Sequence, residues 1–484
     1  MSAVAEELRV PAGARIAWLR ERGMGASILV AALSSAFGVV LLATTTFLGA
    51  VLRADPYLAG SGTLEVVVLI LAVLLLGVAV YVAAIVTANT FATVVAGRTR
   101  RIALLRLIGA SARSQRAEIA RQGLGVGALG AFAGLLVGTV LSLAGAALAV
   151  DLLGLPADVD AGIIQPALVA PAVAVTLTTW AAAWAGSRRV LAVTPLQALG
   201  GAVEASHEAV AQRTGRNRTA LALLLAGAAL LVLGILAGLV TPLGVVVAFF
   251  GGILSFTGLA LGATLVMPPV LRLVGRAFGR SATARLAAEN ALRYPERSSR
   301  MAIGVVMGVT LVVMFAVALE SVKTMIRISG GGTLEPEFAA LIDTFSAVMM
   351  ALVGVSAVIA AVGLVNLLTI GVVQRRRELG LLRALGVSSG QVRGMVLREA
   401  AHITVAALAT GLVLGILYGW AGAQSLLGSI AMPPAWSSPT FVWPSIPLVP
   451  VLVVVGATAV LTLVAAVVPT RLATRVTPVQ ALAE

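Results

Sequence analysis

The sequence predicts an all-α integral membrane protein with ten transmembrane helices, arranged as two four-helix halves separated by a two-helix insert and lacking a large extracellular domain. Composition gives the first reason: 60% of the 484 residues are hydrophobic and 11% are charged, whereas soluble domains average about 45–50% and about 25%. The second reason is ten apolar runs that can cross a hydrocarbon core about 30 Å thick, which takes about 20 helical residues. The third is an internal repeat that relates the two halves.

The apolar runs, taken in order, define the predicted domains. They lie near 27–51, 64–96, 124–150, 164–186, 219–239, 243–270, 301–319, 341–373, 402–427 and 446–468. Four runs fall in the first half (27–199), two in the insert (219–270) and four in the second half (301–484). The remaining segments are an amphipathic N-terminus (1–26), a linker (200–218) and a second amphipathic segment (271–300). The first run is longer than a signal-peptide core, so we expect it to be a retained span.

Arginine placement predicts which side of the membrane each loop faces. The termini and the segments 97–121, 187–218, 272–300 and 374–399 hold 31 basic and 11 acidic residues, whereas the opposite loops hold 3 basic and 9 acidic residues. The positive-inside bias makes the basic side cytoplasmic, and with it both termini. Topology and attraction to anionic membrane lipids therefore account for the net charge of +14, and no nucleic-acid partner is predicted.

Composition also excludes several kinds of site. The chain has no cysteine, which excludes disulfides, thiolate catalysis and Cys-ligated metal sites. Its two histidines, His207 and His402, argue against a multi-histidine metal centre. Lys323 is the only lysine and no glycine lies in residues 315–322 before it, so the chain carries no P-loop of its own.

Residues of the first half recur in the second half at an offset of 277. The motif RIALLRLIGAS (101–111) aligns with ELGLLRALGVS (378–388). The same offset pairs Asn89 with Asn366, Arg98 with Arg375, Arg100 with Arg377, Gly134 with Gly411 and Gly138 with Gly415. One offset kept over roughly 50 residues indicates a structural repeat. Each half also closes on a shared tag, VTPLQAL (193–199) or VTPVQAL (476–482).

The repeated motif predicts two short cytoplasmic helices that dock onto a partner. Each copy starts at an arginine cluster, carries leucines beside an arginine and stops at a glycine suited to a helical C-cap. The predicted coupling residues are Arg98, Arg100, Leu104, Leu105, Arg106 and Gly109 in the first copy, and Arg375, Arg377, Glu378, Gly380, Leu382, Arg383 and Gly386 in the second. A solvated turn that only obeys the positive-inside rule is the alternative, but charge sorting does not require a fixed Leu-Leu-Arg-x-x-Gly order.

The second copy, ELGLLRALGVSSGQV (378–392), with QRRR before it and Asn366 upstream, resembles the signature of FtsX-like permeases, the membrane subunits of MacB-type ABC transporters. The TPxQAL tags resemble the ends of that family's half-domains, and the layout of four, two and four spans is similar to that of BceB-type permeases. The first copy departs from the pattern, since Arg101 and Ala103 stand in the places of Glu378 and Gly380. The short outer loops leave no room for the family's large extracellular domain.

The resemblance implies a transporter subunit of the bacterial inner membrane that is not itself an enzyme. It would pair with a cytoplasmic ABC ATPase, expected in two copies, which would bind ATP and magnesium while this chain binds no cofactor or metal. The implied activity is export or extraction of an amphipathic, lipid-like or antimicrobial compound. FtsX-like signalling to cell-wall hydrolases is the alternative. An ion-coupled secondary transporter is disfavoured because no predicted span has an ionisable residue near its centre.

Three further sets of residues carry predictions. Asn89 and Asn366 lie near the inner ends of their spans and are expected either to hydrogen-bond between helices or to transmit motion. Gly134 and Gly138, with Gly411 and Gly415 in the second half, lie in small-xxx-small stripes that predict close helix packing, with a substrate groove as the alternative. His402, at the start of the ninth span, is predicted to be structural.

Overall fold

A computed structural model of the chain describes residues 24–54, 66, 69–78, 80–82, 84–85, 111–153, 164–187, 214–277, 288–292, 295–329, 381, 383–430, 438 and 441–475. These residues form helices and turns, with no strand among them. The longer helices are α1 (Met24–Ala54), α2 (Ala112–Leu153), α3 (Val169–Gly186), α4 (Thr214–Gly238), α5 (Gly244–Leu261), α6 (Ala263–Ala277), α7 (Pro295–Ser329), α8 (Ser389–Leu427) and α9 (Leu448–Arg475). The all-helical fold is thereby confirmed for the described part of the chain.

Among the described residues, seven helical stretches are long and apolar enough to cross a membrane. They are Ser27–Phe47, Ala112–Leu148, Pro166–Gly186, Asn217–Gly238, Gly244–Leu261, Met301–Ser329 and Ser389–Leu427. Leu448–Val464, at the predicted tenth span, is apolar but shorter. The predicted eighth span, 341–373, lies outside the described residues, so the count of ten stays a prediction.

The predicted sixth span, 243–270, coincides with the apolar helix Gly244–Leu261, but the helix ends earlier than the apolar run does. Gly262 leaves helical geometry, with φ −92° and ψ 13°, and ends α5. A new helix, α6, begins at Ala263 and contains Pro268 and Pro269, which have no backbone amide hydrogen to donate within that helix. The apolar run hides this break because hydropathy stays high on both sides of Gly262.

The chain divides into two compact units, and the first contains residues 24–43 of α1, residues 112–143 of α2 and all of α3. In the first unit, α1 packs against α2, and a small core of Ala31, Ala131, Ala172 and Val175 joins them to α3. The Ser35 hydroxyl donates a hydrogen bond of 2.9 Å to the carbonyl oxygen of Ala131. Small side chains at this junction allow the backbones to approach closely.

The second unit contains α4 to α9. Its helices α4 and α5 form a hairpin whose turn includes Thr241 and Pro242, as the sequence predicts, and the Thr241 amide donates to the Ala237 carbonyl at 2.8 Å. This hairpin packs against α8, where the hydroxyls of Ser255 and Tyr418 lie 2.8 Å apart. Helix α8 also packs along α7 and α9, so it is the central helix of this unit.

Candidate functional site

The end of the second repeated motif is a short helical turn that leads into α8. The Leu385 amide donates to the Leu381 carbonyl at 3.0 Å, and the Gly386 amide donates to the Arg383 carbonyl at 3.1 Å. Gly386 has a φ of +97°, a conformation that glycine adopts without steric cost and that commonly ends a helix. Leu381 and Leu385 are 52% and 74% exposed. The turn thus presents two leucines to its surroundings on either side of Arg383.

A capping box fixes the direction in which α8 leaves this turn. The Ser388 hydroxyl accepts a hydrogen bond of 3.2 Å from the Gln391 amide, and the Gln391 side-chain oxygen accepts one of 2.9 Å from the Ser388 amide. Two backbone donors that a helix start leaves unpaired are satisfied in this way. The path from Gly386 into α8 is therefore short and well defined.

In the first half, α2 begins after an N-cap serine at the position equivalent to Ser388. The offset of 277 maps Ser111 onto Ser388 and the first residue of α2, Ala112, onto the first residue of α8, Ser389. The Ser114 amide donates to the Ser111 hydroxyl at 3.0 Å, which matches the bond from Gln391 to Ser388. Serine replaces glutamine at the third helical position, so the reciprocal side-chain bond has no counterpart in the first half.

Most of the predicted coupling residues lie outside the described part of the chain. They are Arg98, Arg100, Leu104, Leu105, Arg106, Gly109, Arg375, Arg377, Glu378, Gly380 and Leu382, together with Asn89 and Asn366. Arg383 and Gly386 are described, and both belong to the turn before α8.

The glycines of α2 face α1 at very short range. A Cβ added to Gly134 would overlap the Ala32 carbonyl oxygen and lie 2.6 Å from the Ser35 Cβ. One added to Gly138 would lie 2.9 Å from the Val39 Cβ. Because real Cβ atoms do not approach so closely, only glycine permits this spacing between the two helices.

The glycines of α8 face α7 in the same register. A Cβ on Gly411 would lie 2.8 Å from the Val309 Cβ, and one on Gly415 would lie 2.6 Å from the Val313 Cβ. Val309 and Val313 are the residues that the offset of 277 relates to Ala32 and Ala36. The two units therefore use equivalent helix contacts, with valines in the second where the first has alanines.

Buried polar residues of α8 contact the segments that precede α7. The His402 side chain is 1% exposed, and its Nε2 donates to the Leu271 carbonyl oxygen at 2.6 Å, in keeping with its predicted structural role. Glu399, one turn earlier, is 6% exposed and accepts a bond of 2.7 Å from the Asn290 side-chain amide. Sequence reasoning missed Glu399, although an acidic residue beside the apolar run that follows it was a signal for a buried partner.

The opposite end of α8 holds the loop that leads to α9. The Gln424 side-chain oxygen accepts a bond of 3.0 Å from the Val442 amide, and the Trp420 indole donates to the Val442 carbonyl at 2.7 Å. The rings of Trp420, Phe441 and Trp443 follow one another edge to face at 5.7 and 5.6 Å. Both ends of α8 are thus fixed by specific polar contacts.

Comparison with known proteins places these elements in a family. The family model for the FtsX-like permease C-terminal domain matches residues 73–194 and 350–478. The ABC transporter permease YtrF of Bacillus subtilis (strain 168) is 33% identical over 79 residues, which are 16% of this chain and 17% of the relative. The uncharacterized ABC transporter permease YknZ of the same organism is 31% identical over 99 residues, 20% of this chain and 24% of the relative. The matched stretches span less than a quarter of either relative's length.

The two family matches begin at residues 73 and 350, which are separated by the offset of the internal repeat. They include the turn at 381–386, the capping serines and the glycines at the helix contacts, and together they cover more than half of the chain. Several helices of this chain are long and apolar enough to span a membrane. The chain is a multi-pass membrane protein and belongs to the FtsX-like permease family.

Proposed function

We propose that the chain is the permease subunit of an ABC transporter, driven by a separate cytoplasmic ATPase that docks on the segments 98–113 and 375–391. The observation that carries this proposal is the turn before α8. Its two exposed leucines flank Arg383, and it joins without a linker onto a 39-residue helix. An exposed surface of apolar and basic side chains at the start of a long helix is suited to receive a partner and to pass its motion onward.

The short connection between the turn and α8 would transmit that motion to the helix. Gly386 ends the turn, and the capping box at Ser388 starts the next helix two residues later. A displacement of the turn would therefore act on the backbone of α8 directly and would not be absorbed by a long loop. The equivalent serine at 111 supports a second docking segment in the first half.

The remaining parts of the proposal concern sidedness, cargo and partner. The basic side of the chain, with both termini, would face the cytoplasm of a bacterium and the chain would reside in the inner membrane. Two ATPase subunits would hold ATP and magnesium, and Asn89 and Asn366 would sit near the inner ends of their spans. The cargo would be an amphipathic, lipid-like or antimicrobial compound that the permease exports or extracts.

Isolation of the tagged chain from its native cells tests the pairing. We expect an ABC ATPase to copurify, and ATP hydrolysis by that complex in lipid nanodiscs to depend on the turn. Leu385→Glu and Arg383→Glu should lower both copurification and hydrolysis, because each places an acidic group on the proposed docking surface. Arg276→Glu, at an exposed position near the end of α6, reverses charge in the same way as Arg383→Glu and serves as the control.

Two results would overturn the proposal. One is wild-type copurification and hydrolysis in both acidic variants of the turn. The other is transport that persists when the ATPase gene is deleted, which would favour an ion-coupled transporter instead.

A further inference from the structure

Two buried side chains of α8 bond to a segment that precedes α7, which we call the elbow and define as residues 263–277 and 288–292. Glu399 accepts from the Asn290 side-chain amide at 2.7 Å, and His402 donates to the Leu271 carbonyl at 2.6 Å. Glu399 and His402 are three residues apart, so they lie on one face of α8. That face thus holds both described parts of the elbow.

The elbow is shaped to receive the imidazole. A Cβ added to Gly275 would lie 3.2 Å from Cε1 and 3.3 Å from Nε2 of His402, and 3.6 Å from the Ala288 Cβ. Gly275 therefore leaves the space that the ring occupies, at the point where the two parts of the elbow meet.

The elbow is also bonded to the beginning of α7. The Ser299 hydroxyl donates to the Ala263 carbonyl at 3.0 Å, and the Ser298 hydroxyl donates to the Ala291 carbonyl at 2.7 Å. Both serines are almost fully buried. A continuous series of polar contacts therefore runs from α8 through the elbow to α7.

The equivalent positions of the first half lack these groups. The offset of 277 maps Glu399 onto Gln122 and His402 onto Gly125. The Gln122 side chain donates to Glu118 on its own helix at 3.1 Å, and Gly125 has no side chain. The carboxyl group and the imidazole that contact the elbow in the second half are thus absent from the equivalent positions of the first half.

We propose that Glu399 and His402 are positioning residues that fasten the elbow to α8, so that the elbow and the start of α7 move with α8 as one body. Separating them would leave a carboxylate and an imidazole without their buried partners, which is costly in an apolar setting. The source of the motion rests on the proposed function, since it is the ATPase that would displace α8.

The distance between two spin labels, one on the elbow and one on α8, tests whether α8 holds the elbow. The labels can be attached to introduced cysteines because the chain has none of its own. Cysteines at Leu273 on α6 and Val405 on α8, which are 67% and 42% exposed, would carry the labels in the full chain in lipid nanodiscs. We expect one narrow distance distribution in this background. Adding Glu399→Leu and His402→Leu should raise the population of separated conformations about tenfold, as expected for the loss of two buried hydrogen bonds.

Three further variants separate this role from general destabilisation. Glu399→Gln keeps an oxygen that accepts from Asn290 and should retain the narrow distribution. Asn290→Ala removes the same hydrogen bond from the elbow, where the residue is only half-buried. It should broaden the distance distribution, and it remains a test if the double leucine variant fails to fold. Gln122→Leu, the equivalent change in the first half, should leave the distribution unchanged.

Addition of ATP to the complex with the copurified ATPase completes the test. The distance between the labels should not change in the wild-type background, because both helices move together, and should change in the Asn290→Ala variant. An unaltered distribution in Asn290→Ala and in the double leucine variant would overturn the proposal. If no ATPase copurifies, the proposed function fails, while the nanodisc comparison of these variants still decides whether α8 holds the elbow.

Discussion

Gly134 lies so close to α1 that a methyl group on it would overlap the carbonyl oxygen of Ala32. Gly134→Ala should therefore destabilise the protein by about 1–3 kcal/mol through overpacking. Thermal unfolding in detergent micelles measures the change. Gly145→Ala, on the same helix, is the matched control. A Cβ added to Gly145 meets no neighbouring atom within 4 Å. Equal stability of the two variants would contradict this account of the contact between α1 and α2.

Gly386→Ala should strain the turn before α8. A residue with a Cβ pays about 1–2 kcal/mol in the left-handed region, where Gly386 lies. We expect the turn to shift and ATP hydrolysis in the copurified complex to fall, while the complex still assembles. Gly386→Asn should restore much of the activity, because asparagine tolerates this conformation. Gly394→Ala, which meets no neighbouring atom, should behave as wild type, and a loss there equal to that of Gly386→Ala would argue against a role of backbone geometry.

Ser388→Ala should loosen the first turn of α8. Loss of an N-cap side chain costs about 1 kcal/mol, equivalent to about a fivefold rise in local opening. Hydrogen exchange of the amides at 389–393 reports this opening. Ser389→Ala, one residue further on, leaves the capping box intact and should exchange as wild type does. Protection that stays the same in Ser388→Ala would show that packing alone holds this end of the helix.

Gln424→Leu should release the loop before α9. Gln424 is fully buried and its side-chain oxygen accepts from the Val442 amide, so leucine leaves that buried amide unpaired at a cost of about 1–3 kcal/mol. Limited proteolysis should then cut residues 441–447 faster, and the fluorescence of Trp443 should change. Gln122→Leu, whose side chain bonds within its own helix, is the comparison. Cleavage at the wild-type rate in Gln424→Leu would exclude Gln424 as the residue that holds this loop.

The repeat was the most informative part of the sequence, because it relates positions without needing the fold. It relates the first residues of α2 and α8, and it relates the capping serines Ser111 and Ser388. Glycine spacing likewise predicted where helices would pack, since a helix repeats its faces every three to four residues. Both features can be read from the sequence alone, the glycine spacing from neighbouring residues and the repeat from one constant offset.

The features that hydropathy missed depend on backbone detail or on distant residues. Gly262 interrupts an apolar run whose hydropathy gives no sign of a break. Pro295 begins α7 within a segment predicted to be amphipathic, because proline is favoured in the first turn of a helix. Glu399 and Asn290 are 109 positions apart, and only the packing of α8 against the elbow brings their side chains together.

The length of α8 has a mechanical consequence. Its 39 residues give a rod about 58 Å long, roughly twice the thickness of the hydrocarbon core of a bilayer. A tilt of about 10° around its midpoint would carry each end through about 5 Å, given that length. No proline interrupts α8, so every residue along the rod can donate its backbone hydrogen bond. A small angular change at Ser389 thus becomes a displacement at Gln424 comparable to the rise of one helical turn.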